Sequence, residues 1–274
     1  MKDDQRRRAE LFRALHVPGR PLVLFNIWDV GSAVAVAKGG ASAIGTSSWS
    51  VANANGFPDG ERMPLSLAIE NLHRIVDAVD LPVTVDLESG YGDAPELVGK
   101  TIAMAIDAGA VGCNLEDSFP SNGRLRELVD QTQRIRSARK AADAANVSFF
   151  INARCDVFLQ LQLQLQRPAT QHDDAMVDAA IARARAFADA GADGFFAPGV
   201  TDLSIIGRLA ELSPLPLNVM VEDATPALHT LAEHGVARVS CGPRPYSIAM
   251  MALEEAAREY AVSATPTIGT PAVK

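Results

Sequence analysis

Short apolar runs recur along the chain, each followed by a longer stretch in which apolar residues return every three to four positions. The runs fall at 23–28, 43–48, 81–88, 111–117, 147–156, 194–198, 215–220 and 238–242. Continuous apolar runs of this length, bounded by turn residues, predict strands buried on both faces. The periodic stretches predict helices over 65–79, 95–108, 125–145, 174–190, 201–212, 225–233 and 246–260. Strand followed by helix, repeated, is the pattern of a parallel sheet covered by helices. Asp-Ala-Gly-Ala occurs at 107–110 and again at 189–192, each time where a helix gives way to a strand, and its glycine is expected at the helix C-cap. Eight such units predict a closed (β/α)8 TIM-type barrel. A doubly wound α/β sheet is the alternative, but no Gly-x-Gly-x-x-Gly follows the first strand.

Barrels of this kind use about 250 residues in one domain, so a single domain is expected over 1–262, with helices at both ends. The Thr-, Pro- and Ala-rich tail 263–274 is expected to be mobile or to form an arm exchanged with a partner. The Leu-Gln alternation at 159–166 has a period of two and gives no functional cue.

Charge then narrows the partners. With 25 Lys+Arg against 33 Asp+Glu the formal charge is −8, which offers no general attraction for nucleic-acid phosphates or anionic lipid. Small anionic ligands remain open, because one arginine or one metal ion reverses the local field. Cys113, Cys155 and Cys241 have no paired spacing, so neither a disulfide framework nor a cysteine zinc site is expected. The N-terminus reads as an amphipathic helix, and no stretch reaches the roughly 20 apolar residues of a membrane span; a cytoplasmic location is expected.

In a barrel, chemistry collects at the C-terminal ends of the strands, and here those ends are acidic. Asp86 and Glu88 close the third strand at i, i+2 spacing, and Glu116 lies at the mouth of the fourth. Crowded carboxylates repel unless a cation neutralises them or one holds a proton, and oxygen ligands without His or Cys suit Mg²⁺ or Mn²⁺. A single strand-end acid can equally cap a helix or pair with a base. Arg154 ends the fifth strand, suited to two-pronged capture of a carboxylate or to balancing these acids. Thr46-Ser47-Ser48-Trp49 ends the second strand in a turn whose amides can face an oxyanion. Trp28 and Asp29 are read as packing and helix-cap residues, the five histidines as solvated or capping, and Cys113 and Cys155 as buried.

The stretch from Thr84 to Gly92 (TVDLESGYG), Asn114-Leu115-Glu116-Asp117 and Asn152-Ala153-Arg154-Cys155-Asp156 together resemble the isocitrate lyase/phosphoenolpyruvate mutase superfamily, in particular its 2-methylisocitrate lyase and carboxyphosphonoenolpyruvate mutase-like members. The resemblance runs from about Leu24 to Gly242. It implies a barrel that binds Mg²⁺ and a 2-oxo or 2-hydroxy carboxylate and makes or breaks a C–C or P–C bond. It further implies Asp86 as direct metal ligand, with Asp59, Glu88 and Glu116 acting largely through metal-bound water, and Asp59, Glu116 and Arg154 as catalytic groups. Ser47, with the backbone at Ser48 and Trp49, would hold the substrate carboxylate, Arg154 a substrate oxygen, and Asn218, at the end of strand seven, a distal part of the substrate.

The loop after Glu116 departs from the resemblance. Lyases of the superfamily carry a proton-donating cysteine there, and this chain has Ser118, Ser121, Asn122 and Arg124 instead. The leading expectation is therefore a Mg-dependent lyase or decarboxylase that breaks a C–C bond in a small di- or tricarboxylate through a metal-stabilised enolate, with oxaloacetate or 2-oxoglutarate as ligand. The alternatives are a phosphonate P–C hydrolase or mutase, and a 2-oxo-acid-binding protein with little activity. Homo-oligomers, dimers or tetramers, are implied, with a C-terminal helix exchanged between subunits. Ala249, Leu253, Ala256 and Tyr260 form an apolar stripe that fits this, or that closes the helix onto its own barrel.

Overall fold

A computed structural model describes residues 2–159 and 172–263. All of the Leu-Gln segment except Leu159, and all of the tail except Ser263, lie outside the described residues. Eight parallel strands occur where apolar runs predict them: β1 (Leu22–Leu24), β2 (Ile44–Gly45), β3 (Val83–Asp86), β4 (Gly112–Glu116), β5 (Phe150–Arg154), β6 (Gly194–Ala197), β7 (Leu217–Met220) and β8 (Arg238–Ser240). From β2 to β8 each strand pairs with its sequence neighbour, and β1 pairs with β8. The remaining seam, β1 to β2, closes just beyond the strands: Ile27 N donates to Gly45 O at 2.9 Å and Ser47 N to Ile27 O at 3.1 Å. The result is a nearly closed (β/α)8 barrel.

The helices are α1 (Lys2–Ala14), α2 (Val30–Lys38), α3 (Ser48–Ala54), α4 (Leu65–Ala78), α5 (Pro95–Asp107), α6 (Leu128–Ala145), α7 (Asp174–Asp189), α8 (Leu203–Leu212), α9 (Leu228–Glu233) and α10 (Arg244–Ser263). Their buried faces follow helical spacing. In α7 these are Val177, Ala180, Ile181, Ala184 and Phe187, each large side chain adding about 1.5–3 kcal/mol on burial. The periodicity search missed α2 and α3, whose short, small-residue sequences carry a weak apolar stripe. Asp29 caps α2, accepting from Ser32 N at 2.7 Å, as its sequence position predicts. The glycines of the two Asp-Ala-Gly-Ala repeats lie one residue beyond the expected position: Ala108 and Ala190 are the C-caps, and Gly109 and Gly191 follow at φ +95° and +97°. A side chain at Gly109 would also meet Val76 at 2.6 Å.

The barrel interior is more polar than apolar runs imply. Along β4, β5 and β8 the sequences Gly-Cys-Asn-Leu-Glu, Phe-Ile-Asn-Ala-Arg and Arg-Val-Ser alternate. Cys113, Leu115, Ile151, Ala153 and Val239 join the hydrophobic core. The alternate residues bond to one another instead: Asn152 Nδ2 donates to Asn114 Oδ1 at 2.9 Å, and Arg238 Nη2 reaches the same oxygen, from β8 to β4, at 3.1 Å. Below them α1 closes the N-terminal end with Phe12 edge-on to Phe150. Of the solvated or capping roles expected of the histidines, His16 takes the second, though buried: it stacks on Phe150 at 4.0 Å and bonds through Nδ1 to Phe12 O, in the last turn of α1, at 2.8 Å.

At the other end of the chain, α10 leaves the barrel. Leu253 of the stripe is exposed, as are Ile248 and Met251 of the same helix, so Leu253 does not close onto its own barrel. Beside β1 the surface is uncovered: Val23 and, just beyond the strand, Phe25 are exposed and, with Leu22 and Val36, line a cavity of about 780 Å³. Among the described residues no helix is long and apolar enough to cross a membrane.

Candidate active site

The C-terminal rim brings the expected acids together, by a route the spacing did not foresee. β3 ends at Asp86, and Glu88 follows in a left-handed turn at φ +51°, so the two are not successive side chains of one strand face. Glu88 is instead fixed from the β2–α4 connection: Glu61 N donates to Glu88 Oε2 at 2.6 Å, and Glu61 Oε1 accepts from Ser89 Oγ at 2.7 Å and Tyr91 N at 2.8 Å. Glu61, Glu88 and Tyr91 all have positive φ, and this knot holds three of the four such non-glycine residues described. Backbone strain of this kind, about 1–3 kcal/mol per residue, persists where surrounding contacts over-determine it. Arg134 donates to the carbonyls of Ser89, Gly92 and Asp93 and pins the same loop from α6.

Asp86 stands at the centre. Its Oδ2 accepts from Ser48 N at 3.1 Å and its own amide donates to Thr46 Oγ1 at 2.8 Å, while its Oδ1 is buried without a partner. A buried carboxylate oxygen left unpaired signals a missing cation, proton or water. Burial first, then the charges of Asp59 and Asp86, pushes Glu88 up to about 8. Asp59 sits on an exposed turn, yet desolvation of its carboxylate and the charge of Asp86 raise its pKa. Glu116 is raised chiefly by burial, against the pull of Arg154. Among the described residues no three His, Cys, Asp or Glu side chains form a ready-made metal cage.

Arg154 is gripped on two sides. Its Nη1 meets Glu116 Oε2 at 2.8 Å, and its Nε donates to Asp156 Oδ1 at 2.6 Å. Burial alone would lower its pKa, but Asp156, Glu116 and Asp86 outweigh that and keep it charged. Ser118 completes the group, donating to Asp156 Oδ2 at 2.6 Å. The loop that follows is a tight hairpin: Ser118 bridges Leu125, Phe119 N donates to Arg124 O at 2.8 Å, and the Arg126 guanidinium lies 4.0 Å over the Phe119 ring.

Ser47 caps α3, its Oγ accepting from Ser50 N at 3.4 Å and Ser50 Oγ at 3.1 Å. The Ser48 amide, expected to face substrate, is bonded to Asp86 instead. Trp49 is half-exposed at the rim and, like Trp28, packs edge-on against Tyr246. Asn218 does not reach the mouth. It is the second residue of β7, fully buried, and exchanges hydrogen bonds of 3.2 Å with Ser240 inside the barrel. The resemblance implies a distal substrate contact at the end of strand seven, whereas the side chain lies among the polar residues inside the barrel. Cys241 is buried like Cys113 and Cys155. Glu61, Asp156 and Ser118 are the site residues that motif spacing did not single out for these roles. The i, i+2 alternation that places Arg154 and Asp156 side by side was available in the sequence.

Residues 12–261 match the family described as phosphoenolpyruvate phosphomutase. A Burkholderia cenocepacia J2315 structure assigned as a phosphonomutase is 55% identical, superposes with a TM-score of 0.89 and covers 93% of this chain and 99% of its own. The 2-methylisocitrate lyase of Escherichia coli K12 is 30% identical over 91% of this chain and 81% of its own length. Oxaloacetate decarboxylase 2 of Pseudomonas fluorescens Pf0-1 is 26% identical over 87% and 76%. A phosphonopyruvate hydrolase solved with oxalate and Mg²⁺ shares the fold, with a TM-score of 0.80 at 21% identity over 97% of this chain and 91% of its own. Barrel, acidic rim and near-full-length similarity agree: the chain is an enzyme of the phosphoenolpyruvate phosphomutase family, within the isocitrate lyase/phosphoenolpyruvate mutase superfamily.

Proposed function

We propose that this enzyme is a Mg²⁺-dependent lyase or decarboxylase that breaks a C–C bond in a small 2-oxo or 2-hydroxy di- or tricarboxylate. The observation that carries the reading is the unpaired, buried Oδ1 of Asp86 amid Asp59, Glu88 and Glu116. The donor set, all hard oxygen, fits Mg²⁺ or Mn²⁺. Asp86 would hold the ion directly, with Asp59, Glu88 and Glu116 through water. When bound, the ion supplies a Lewis acid that polarises the substrate carbonyl.

The chain's own residues do the rest. Ser47 and the amide of Trp49 at the start of α3 hold the substrate carboxylate. Arg154, oriented by Asp156 and Glu116, offers its fixed charge to a substrate oxygen where negative charge develops. Proton supply decides between substrates. Ser118 already donates to Asp156, and the hairpin from Phe119 to Arg124 brings no thiol, so the loop delivers no acid. Cleavage of 2-methylisocitrate needs such an acid, worth about 10²–10⁴-fold. Decarboxylation of oxaloacetate can take its proton from solvent.

The test is steady-state turnover of both substrates by the purified protein with Mg²⁺. Oxaloacetate should be consumed faster than 2-methylisocitrate, and above the rate with Mg²⁺ alone. Methylisocitrate turnover at about 1–10³ s⁻¹ overturns the ranking. The 55% identical structure assigned as a phosphonomutase favours phosphonate chemistry as the second reading, and conversion of phosphonopyruvate to phosphoenolpyruvate, or its hydrolysis to pyruvate and phosphate, without oxaloacetate turnover would select it.

The same reading includes exchange of α10 between two copies of the chain. An exposed apolar helix and an uncovered patch beside β1 on one protomer are complementary surfaces, and a second copy supplies both. Light scattering should give a dimer or larger for the full chain and a smaller species for a chain ending before Arg244. A monomer in both cases rules exchange out.

A further inference from the structure

Beneath the acidic rim the barrel holds a cation with no carboxylate bonded to it. Arg238, the first residue of β8, is 1% exposed. Its Nε donates to Ser240 Oγ at 3.2 Å and its Nη2 to Asn114 Oδ1 at 3.1 Å, both neutral oxygens, and its Nη1 is buried without a partner. Among the described residues it makes no salt bridge. A buried charge of this kind is retained at a cost of several kcal/mol unless something compensates it. Burial lowers its pKa to about 9 while Asp86 acts in the opposite direction, so the guanidinium is charged at neutral pH. Structure links the two groups directly. Asn114, which accepts from Arg238, is the ladder partner of Asp86 between β3 and β4. The guanidinium therefore reaches across the barrel to the residue beside the central carboxylate of the rim.

We propose that Arg238 is a positioning residue whose fixed charge biases the rim against a bare cation and toward the anionic ligand, so that ion and carboxylate are held well only together. The proposal rests on the metal and carboxylate reading of the rim and adds to it a residue that touches neither. Its electrostatics have opposite signs for the two ligands. Removing the charge should strengthen binding of Mg²⁺ and weaken binding of a dianion, whereas a purely structural role would weaken both. Between charges that feel each other through protein, such effects amount to about 3- to 10-fold.

The experiment is calorimetry on the full, chelator-treated chain, first with Mg²⁺ alone and then with oxalate at saturating Mg²⁺. Arg238→Gln, which can still donate toward Asn114, should bind Mg²⁺ about 3- to 10-fold more tightly and oxalate more weakly by a similar factor. Arg238→Lys keeps the charge and loses the fork, and both affinities should stay near those of the parent. If Arg238→Gln does not fold, the lysine variant decides: parallel loss of both affinities overturns the proposal, and retention of both supports it. Ser240→Ala, which removes a neutral partner only, should move neither. A parent protein that binds neither Mg²⁺ nor oxalate overturns the functional reading and this proposal with it. A parent that binds both, with an Arg238→Gln variant that shifts them in the same direction or not at all, overturns this proposal alone.

Discussion

At the mouth of the barrel, Asp59, Asp86, Glu88 and Glu116 crowd together, and burial raises the pKa of Asp59, Glu88 and Glu116. A few residues lower, Asn114, Asn152, Asn218 and Ser240 surround a single guanidinium and contain no acid. Both regions bury polar groups that an ordinary barrel core would replace with Val, Ile and Leu. They differ in what remains unsatisfied: at the mouth a carboxylate acceptor, Asp86 Oδ1, and in the interior a cationic donor, Arg238 Nη1, together with a neutral amide acceptor, Asn152 Oδ1. An unpaired acceptor among acids calls for a cation, and an unpaired donor below it supplies the field that an anion arriving with that cation would meet. On the proposed reading, position along the strand, more than residue type, separates the part that would bind from the part that would tune.

The largest effect is expected from removing the acceptor. Asp86→Ala should abolish calorimetric Mg²⁺ binding and reduce turnover by about 10²-fold or more. Oxalate affinity that is the same with and without metal in the parent would break the distinction between mouth and interior. Arg154→Lys comes next. The charge survives, but one ammonium cannot span Glu116, Asp156 and a substrate oxygen as the planar fork does, and oxalate affinity should fall about 10-fold. Unchanged binding and turnover would make Arg154 a structural partner of the two acids.

Much of this was legible in the sequence, and the failures have physical causes. All eight strands follow from apolar runs, because residues that pack against the surrounding helices, such as Val85, Leu115, Ile151 and Phe195, must be apolar whatever the interior does. Asp86, Glu116 and Arg154 were placed at the rim because strand ends in a barrel converge there. Glu88 was correct in place but not in reason, since its position comes from a left-handed turn held by Glu61, a contact between residues 27 positions apart. Asn218 and Arg238 were misjudged or passed over for a shared reason. Runs read as continuously apolar concealed an alternation in which every second residue enters the barrel, and depth along the axis depends on strand register, which one strand's sequence does not contain. The exposure of α10 follows from the direction in which it leaves the barrel, which its own apolar stripe does not set.

The smallest expected effect sharpens the comparison by sign. Glu88, near 8 against an ordinary 4.5, is held protonated by the fold, so its contribution to stability is full below about 4.5 and is lost as pH rises through about 8. His16, beneath Arg238, is pushed the other way: burial and then the charge of Arg238 lower it from 6.5 to about 3. The folded state refuses a proton that the unfolded chain accepts. Its contribution is full above about 6.5 and is lost as pH falls toward about 3. Thermal melting of the chelator-treated protein should therefore show mouth and floor pulling in opposite directions across the intervening range. Glu88→Gln should flatten the alkaline side by several degrees, and Mg²⁺ should stabilise the parent more at about pH 8 than at about pH 6, where the competing proton is still bound. His16→Phe, which keeps a ring to stack on Phe150, should flatten only the acid side. If either substitution changes the wrong limb, the assignment of opposite charge demands to mouth and floor fails for that region.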